Sequence, residues 1–173
     1  MSPATTNSRR QVTLFVPDPT RSMLEAIRKR LDPVQYRLIR AHVTLCREDE
    51  LAARSVTELE ALRGLAQHRP LTLHFGPPEV FDGHGVLLPC IAGESHFHRL
   101  RVAVLGSEDI RTHRAHITLA HPGNPRAPEN LPLTYASLTA PFSITLSRVS
   151  LIEQFGLAPW QVRREIDLVA SDA

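Results

Sequence analysis

The chain has 173 residues and a mass of 19.3 kDa, with 42% hydrophobic and 22% charged residues. This mix suits one compact soluble domain and excludes disordered or fibrous classes. The net charge of +2 is too small to mark a protein that coats a polyanion. No apolar run approaches the roughly 18 residues of a membrane span, and the polar start is not followed by a signal-peptide core. A cytoplasmic protein without a membrane partner is therefore expected. Cys46 and Cys90 form neither a disulfide framework nor a zinc knuckle. Lys29 is the lone lysine among 20 basic residues. A GC-rich coding bias accounts for that total, while single arginines remain candidates for phosphate recognition. At 5% aromatic residues, an extended base-stacking platform is not expected.

Residues 1–10 read as a disordered tail ahead of a single domain over 11–173. Residues 12–16 are apolar and β-branched, a strand closed by Pro17. Asp18-Pro19 then starts a helix, with Met23, Leu24, Ile27 and Leu31 at helical spacing. Residues 36–45 read as a second strand. Ser55-Val56-Thr57-Glu58 is a capping-box pattern, followed by Leu59, Leu62 and Ala66 on one helical face. Leu71, Leu73 and Phe75 alternate with polar residues as in a strand. Asp82-Gly83 makes a hairpin turn between 79–81 and 86–90. Phe97, Leu100 and Val104 give a helix ending at Gly106. Residues 114–120 read as a strand and 122–132 as a Pro-rich surface loop, with closing strands over 142–154 and 160–168. Mixed helices and hairpin-like strands indicate an α+β fold, mainly antiparallel, with helices packed outside the sheets.

The most informative feature is an internal echo. Arg40-Ala41-His42-Val43-Thr44-Leu45 returns as Arg114-Ala115-His116-Ile117-Thr118-Leu119, with Val exchanged for Ile. The β-branched centre of each copy favours an extended conformation. Alternate side chains of a strand share a face, so His42 and Thr44 point one way with Arg40, and His116 and Thr118 with Arg114. Two such rows across a cleft suit phosphoryl transfer at an RNA 2′,3′-cyclic phosphate. One neutral imidazole accepts a proton from the attacking oxygen while one imidazolium protonates the leaving sugar oxygen. The threonine hydroxyls would bond the non-bridging phosphate oxygens. Arg40 and Arg114 either add charge stabilisation there or are strand-entry residues in solvent. The proton transfers require no metal and no cofactor.

With these motifs the chain resembles the 2H phosphoesterase superfamily, in its 2′-5′ RNA ligase-like and cyclic phosphodiesterase branch. The matching residues are His42-Val43-Thr44-Leu45 and His116-Ile117-Thr118-Leu119. The resemblance runs from Val12 to Leu168. It implies a bilobal, pseudo-twofold symmetric fold of two mainly antiparallel sheets around a central cleft. It further implies catalytic His42 and His116, phosphate-binding Thr44 and Thr118, and no metal. Relatives often carry an arginine or aromatic residue just after the second motif, where this chain has Ala120-His121-Pro122; Arg47 follows the first motif.

The remaining histidines do not suggest a metal site. His96 and His98 diverge on a helix, and His113 and His116, three apart on a strand, fall on opposite faces. His68, His74 and His84 read as surface residues. Cys46 shares the expected strand face with His42 and would border the cleft. Phe75, Tyr36, Phe155 and Trp160 could stack a base or serve as packing residues. The expected activity is hydrolysis, or reversible ligation, of 2′,3′-cyclic or 2′-5′ phosphodiesters. The expected partner is an RNA end, such as a tRNA end, or a small cyclic nucleotide, bound by a monomer. The alternative is a module that binds a nucleotide or RNA end without turnover.

Overall fold

The computed structural model describes residues 8–60, 62–123 and 132–169. Strand β1 (Ser8–Phe15) is followed by α1 (Thr20–Leu31), α2 (Pro33–Leu38) and β2 (His42–Cys46). Short helices α3 (Glu48–Leu51) and α4 (Val56–Glu60) and a 3₁₀ turn (Leu62–Gln67) lead to β3 (Leu71–Phe75), β4 (Glu79–Phe81) and β5 (Gly85–Ala92). Then come α5 (Glu94–Leu105), β6 (His116–Ala120), α6 (Pro132–Tyr135), a 3₁₀ turn (Ala136–Leu138), and β7 (Phe142–Leu146), β8 (Arg148–Phe155) and β9 (Gln161–Asp167). The strands form one antiparallel ladder in the order β7-β3-β5-β6-β2-β1-β8-β9, with β4 hydrogen-bonded to β5. The two sheets expected from the sequence are thus joined into one, through the β2–β6 pair. Strands β7 and β8 are separated by Ser147 alone yet sit at one edge and next to the other. The sheet must therefore curl to bring its ends together.

Helices α1 and α5 form where apolar residues recur at helical spacing. Leu24, Ile27 and Leu31 are buried from α1, and Phe97, Leu100 and Val104 from α5. Each such side chain contributes about 2 kcal/mol by leaving water. Arg28, Lys29 and Arg30 occupy the last turn of α1, where cations complement the helix dipole. Helix α5 ends at Gly106, whose φ of 67° is the left-handed closure anticipated from the sequence. Helix α1 packs against β6 and α5 against β2, so each covers the strand that carries the other copy of the hexapeptide. Val43, Leu45, Ile117 and Leu119 join this core.

Several boundaries differ from expectation, each for a local reason. Ser8, Arg9 and Arg10, expected in a tail, pair with Phe155, Gln154 and Glu153 of β8. Polar partners hold them: Arg10 donates to Glu153 at 3.0 Å. Residues 1–7 lie outside the described residues. Residues 33–38, expected in part as strand, are helix α2 because Asp32 accepts the Gln35 N–H at 3.0 Å and Pro33 occupies the first turn. Helix α1 starts one residue later than its Asp-Pro signal. The long closing strand over 142–154 is split at Ser147 into β7 and β8. Most of the Pro-rich loop, 124–131, lies outside the described residues, and Pro132 opens α6. The capping box is present: Glu58 N–H donates to Ser55 Oγ at 3.2 Å and Ser55 N–H to Glu58 at 2.9 Å. Asp82 and Gly83 take φ of 45° and 85°, the two left-handed positions of a tight hairpin turn. No helix among the described residues is long and apolar enough to cross a membrane.

Candidate active site

Strands β2 and β6 meet at a single antiparallel pair, Val43 with Ile117. Around that pair the antiparallel register sets His42 beside Thr118 and Thr44 beside His116. The two histidines are then diagonal neighbours, about 7–8 Å apart at the backbone. Val43 and Ile117 are fully buried, while His42, Thr44, His116 and Thr118 are half-buried. The alternation expected of extended hexapeptides is observed. The four polar side chains open into a cleft of about 580 Å³, which Gln11, Arg28, Arg47, His113, His121 and Trp160 also line.

The surroundings of the two motifs repeat. His42 Nδ1 lies 2.8 Å from the Arg40 carbonyl and His116 Nδ1 lies 3.0 Å from the Arg114 carbonyl. A carbonyl only accepts, so each Nδ1 carries the proton and each Nε2 is left as the free base. The Ala41 N–H donates to Glu25 of α1, and the Ala115 N–H to Glu94 of α5 at 3.2 Å. The Ala41 carbonyl accepts from Val16 and the Ala115 carbonyl from Cys90, at 3.0 and 2.9 Å. Thr44 has a further support: Gln11 of β1 donates to its hydroxyl at 2.9 Å. That leaves the Thr44 hydrogen available to an acceptor in the cleft.

Burial governs the electrostatics. Desolvation pushes His42 down to about 4, against the bond to the Arg40 carbonyl, with Arg28 and His116 lowering it further. His116 is also lowered, by burial first and by Arg47 and Arg114 as neighbouring cations. His113 is pushed to about 4 by burial and by the adjacent His116. In the free protein both motif imidazoles are therefore neutral bases near pH 7, and an anion between them would restore a proton to one.

The guanidinium groups of Arg40 and Arg114 are not brought to this cleft. Arg40 lies over the Phe15 ring at 4.1 Å, in a separate depression with Arg21 and Arg148. Arg114 donates to the Cys90 carbonyl at 3.2 Å and approaches Glu79. Both precede the first strand residue, so strand alternation does not extend to them; only their carbonyls serve the site. His113 corrects the opposite-face expectation for the same reason. It precedes β6, its ring is 5.7 Å from that of His116, and it stacks on Phe97. Cys46 is fully buried in the core, and burial raises its thiol to about 12, so it neither borders the cleft nor offers a thiolate. Of the aromatic candidates, Trp160 lines the cleft, with the Arg9 guanidinium 5.3 Å from its ring centre. Phe75 is buried against Phe142, and Tyr36 sits beneath Lys29. Arg28 and Gln11 are not singled out by sequence reasoning, because elements remote from the motifs deliver them. Among the described residues, no group of three or more His, Cys, Asp or Glu is placed to hold a metal ion.

A family model of the 2′-5′ RNA ligase superfamily matches residues 16–153. The chain belongs to this superfamily. The match spans both His-x-Thr motifs, as the sequence resemblance to 2H phosphoesterases anticipated. No curated protein matches the chain by sequence. Among solved structures, Escherichia coli LigT complexed with phosphate is similar at 18% identity and a TM-score of 0.58, covering 94% of this chain and 98% of that one. TT0787 of Thermus thermophilus is similar at 17% identity and a TM-score of 0.58, covering 94% and 99%. A LigT structure with 3′-AMP gives 15% identity, a TM-score of 0.58 and coverage of 94% and 99%. These likenesses show that the chain shares its curled α+β fold with LigT and TT0787.

Proposed function

We propose that the protein is a phosphodiesterase that opens 2′,3′-cyclic or 2′-5′ phosphodiesters of RNA ends or small nucleotides by two-histidine acid–base catalysis. The observation that carries this reading is the crossed seat of His42 beside Thr118 and Thr44 beside His116. It gives a phosphate group two hydroxyl donors and two imidazole nitrogens in one cleft. One neutral Nε2 removes a proton from the attacking water as its oxygen bonds to phosphorus. The opposite imidazole, protonated once the anion is bound, gives its proton to the sugar oxygen as the old phosphorus–oxygen bond breaks. The hydroxyls of Thr44 and Thr118 hold the non-bridging oxygens and favour in-line geometry. With a ribose 5′-hydroxyl in place of water, the same groups open a 2′,3′-cyclic phosphate to a 2′-5′ phosphodiester: the 5′-oxygen bonds to phosphorus as its proton passes to one imidazole, and the 3′-oxygen leaves with the proton of the other. That LigT has been crystallised with phosphate and with 3′-AMP supports nucleotide phosphates as the ligand class.

The test is a panel of nucleoside 2′,3′-cyclic phosphates, 2′-5′ dinucleotides and RNA ends, with products identified by mass. Monophosphate formation supports the reading. Saturable binding of these compounds without product on any of them would instead establish a binding module.

A further inference from the structure

Helices α1 and α5 each bury an arginine, and the two guanidinium groups are used differently. Arg101 of α5 is fully enclosed, and each of its nitrogens is bonded. Nε donates to the Leu45 carbonyl at 2.9 Å, Nη1 to the Arg111 carbonyl at 2.7 Å, and Nη2 to Glu50. Arg28 of α1 is 3% exposed. Its Nη1 donates to both oxygens of Glu25, at 2.9 and 3.0 Å, and its Nε has no hydrogen-bond partner among the described residues. One nitrogen gripping two oxygens is a poorer match than the two-pronged pairing a guanidinium can make. Glu25 is moreover shared with the Ala41 N–H, and the nearby Asp32 accepts the backbone N–H groups of Gln35 and His121. Glu25 balances the charge, but a buried N–H without an acceptor, as at Arg28 Nε, forfeits its hydration without replacement. A ligand acceptor would offset that cost.

Position says which ligand. Arg28 lines the cleft with Gln35, Ile39 and His121, and its charge acts on His42. Arg47, after the first motif, acts in the same way on His116. The corresponding place after the second motif holds His121, which is no guanidinium. Its Nδ1 is already engaged by the Gly123 N–H at 3.0 Å. We propose that Arg28 is the anion-binding residue at the His42 end of the cleft, where it takes a non-bridging oxygen of a phosphate monoester or diester. The assignment rests on the phosphoryl seat described above and adds the residue that balances Arg47 across it. One guanidinium on each side of the phosphorus counters the charge that builds on its oxygens as the attacking oxygen arrives.

The test uses ¹⁵N-labelled full-length protein titrated with inorganic phosphate, following arginine Nε–H resonances. The Arg28 signal, assigned by its loss in Arg28→Lys, is expected to shift saturably while that of Arg101 stays in place. Phosphate should bind Arg28→Gln at least about tenfold more weakly, the loss of one charge-assisted hydrogen bond, with Arg28→Lys intermediate. A stationary Arg28 resonance during saturable phosphate binding overturns the proposal, as does unchanged phosphate affinity in Arg28→Gln or a wild-type protein that binds no phosphate. Phosphate binding through Arg28 in a protein that leaves every cyclic phosphate intact would uphold this assignment and refute only the hydrolytic reading.

Discussion

Val43 of β2 and Ile117 of β6 face each other as an antiparallel pair at the centre of the ladder. Because side chains alternate, this buried apolar pair turns the residues on either side of it toward the cleft. It also crosses them, so each imidazole has the other motif's hydroxyl as its neighbour. The chemistry assigned to the site follows from this geometry and yields the outcomes below.

His42→Ala and His116→Ala should each lower turnover of a cyclic phosphate by about 10²–10⁴-fold, the usual range for a lost acid or base. Both positions are half-buried at the cleft wall, so thermal midpoints should change little. Thr44→Ala and Thr118→Ala should lose less, because each removes one hydrogen bond to phosphate. Steady-state kinetics with parallel thermal melts check this.

Gln11→Ala should weaken catalysis severalfold by freeing the Thr44 hydroxyl that Gln11 now holds at 2.9 Å. In the Gln11→Ala/Thr44→Ala double variant the Gln11 effect should vanish. A double-mutant cycle on kcat distinguishes this from an independent role.

Acid should destabilise the fold. The folded pKa of His42 and of His113 is depressed to about 4, whereas the unfolded chain titrates near 6.5. Between these values the unfolded state binds protons that the folded state does not, so stability present above pH ~6.5 is lost as pH falls to ~4. Urea midpoints measured from pH 7 to 4 should fall across that window. Saturating phosphate should raise the His42 and His116 values, read from imidazole C–H resonances.

Arg101→Met should cost about 3–5 kcal/mol, because it removes the buried cation that Glu50 pairs with and the donor of two backbone carbonyls. Urea unfolding gives the number. Loss of the Leu45 contact at the end of β2 should also lower activity at the cleft.

Much of this site is legible in the sequence because strand alternation is local. The His-x-Thr rows and the Leu71–Phe75 strand need only period two, and the Asp82-Gly83 turn only its left-handed residues. Strand alternation is also where inference from sequence overreaches. Arg40, Arg114 and His113 lie before the first strand residue, so their side chains take directions it does not govern. Helix α2 is hidden because Tyr36 and Ile39 suggest a strand, while the Asp32 cap and Pro33 decide otherwise. Arg28 and Gln11 cannot be read from spacing. They reach the cleft from α1 and β1 only once the sheet has curled and the helices have packed across it.

The most direct measurement is turnover of a nucleoside 2′,3′-cyclic phosphate in H₂¹⁸O by wild type and by the His42→Ala/His116→Ala double variant. The account predicts a monophosphate carrying one ¹⁸O from wild type and none above background from the double variant. An intact substrate in the presence of wild type, or undiminished turnover by the double variant, would contradict it.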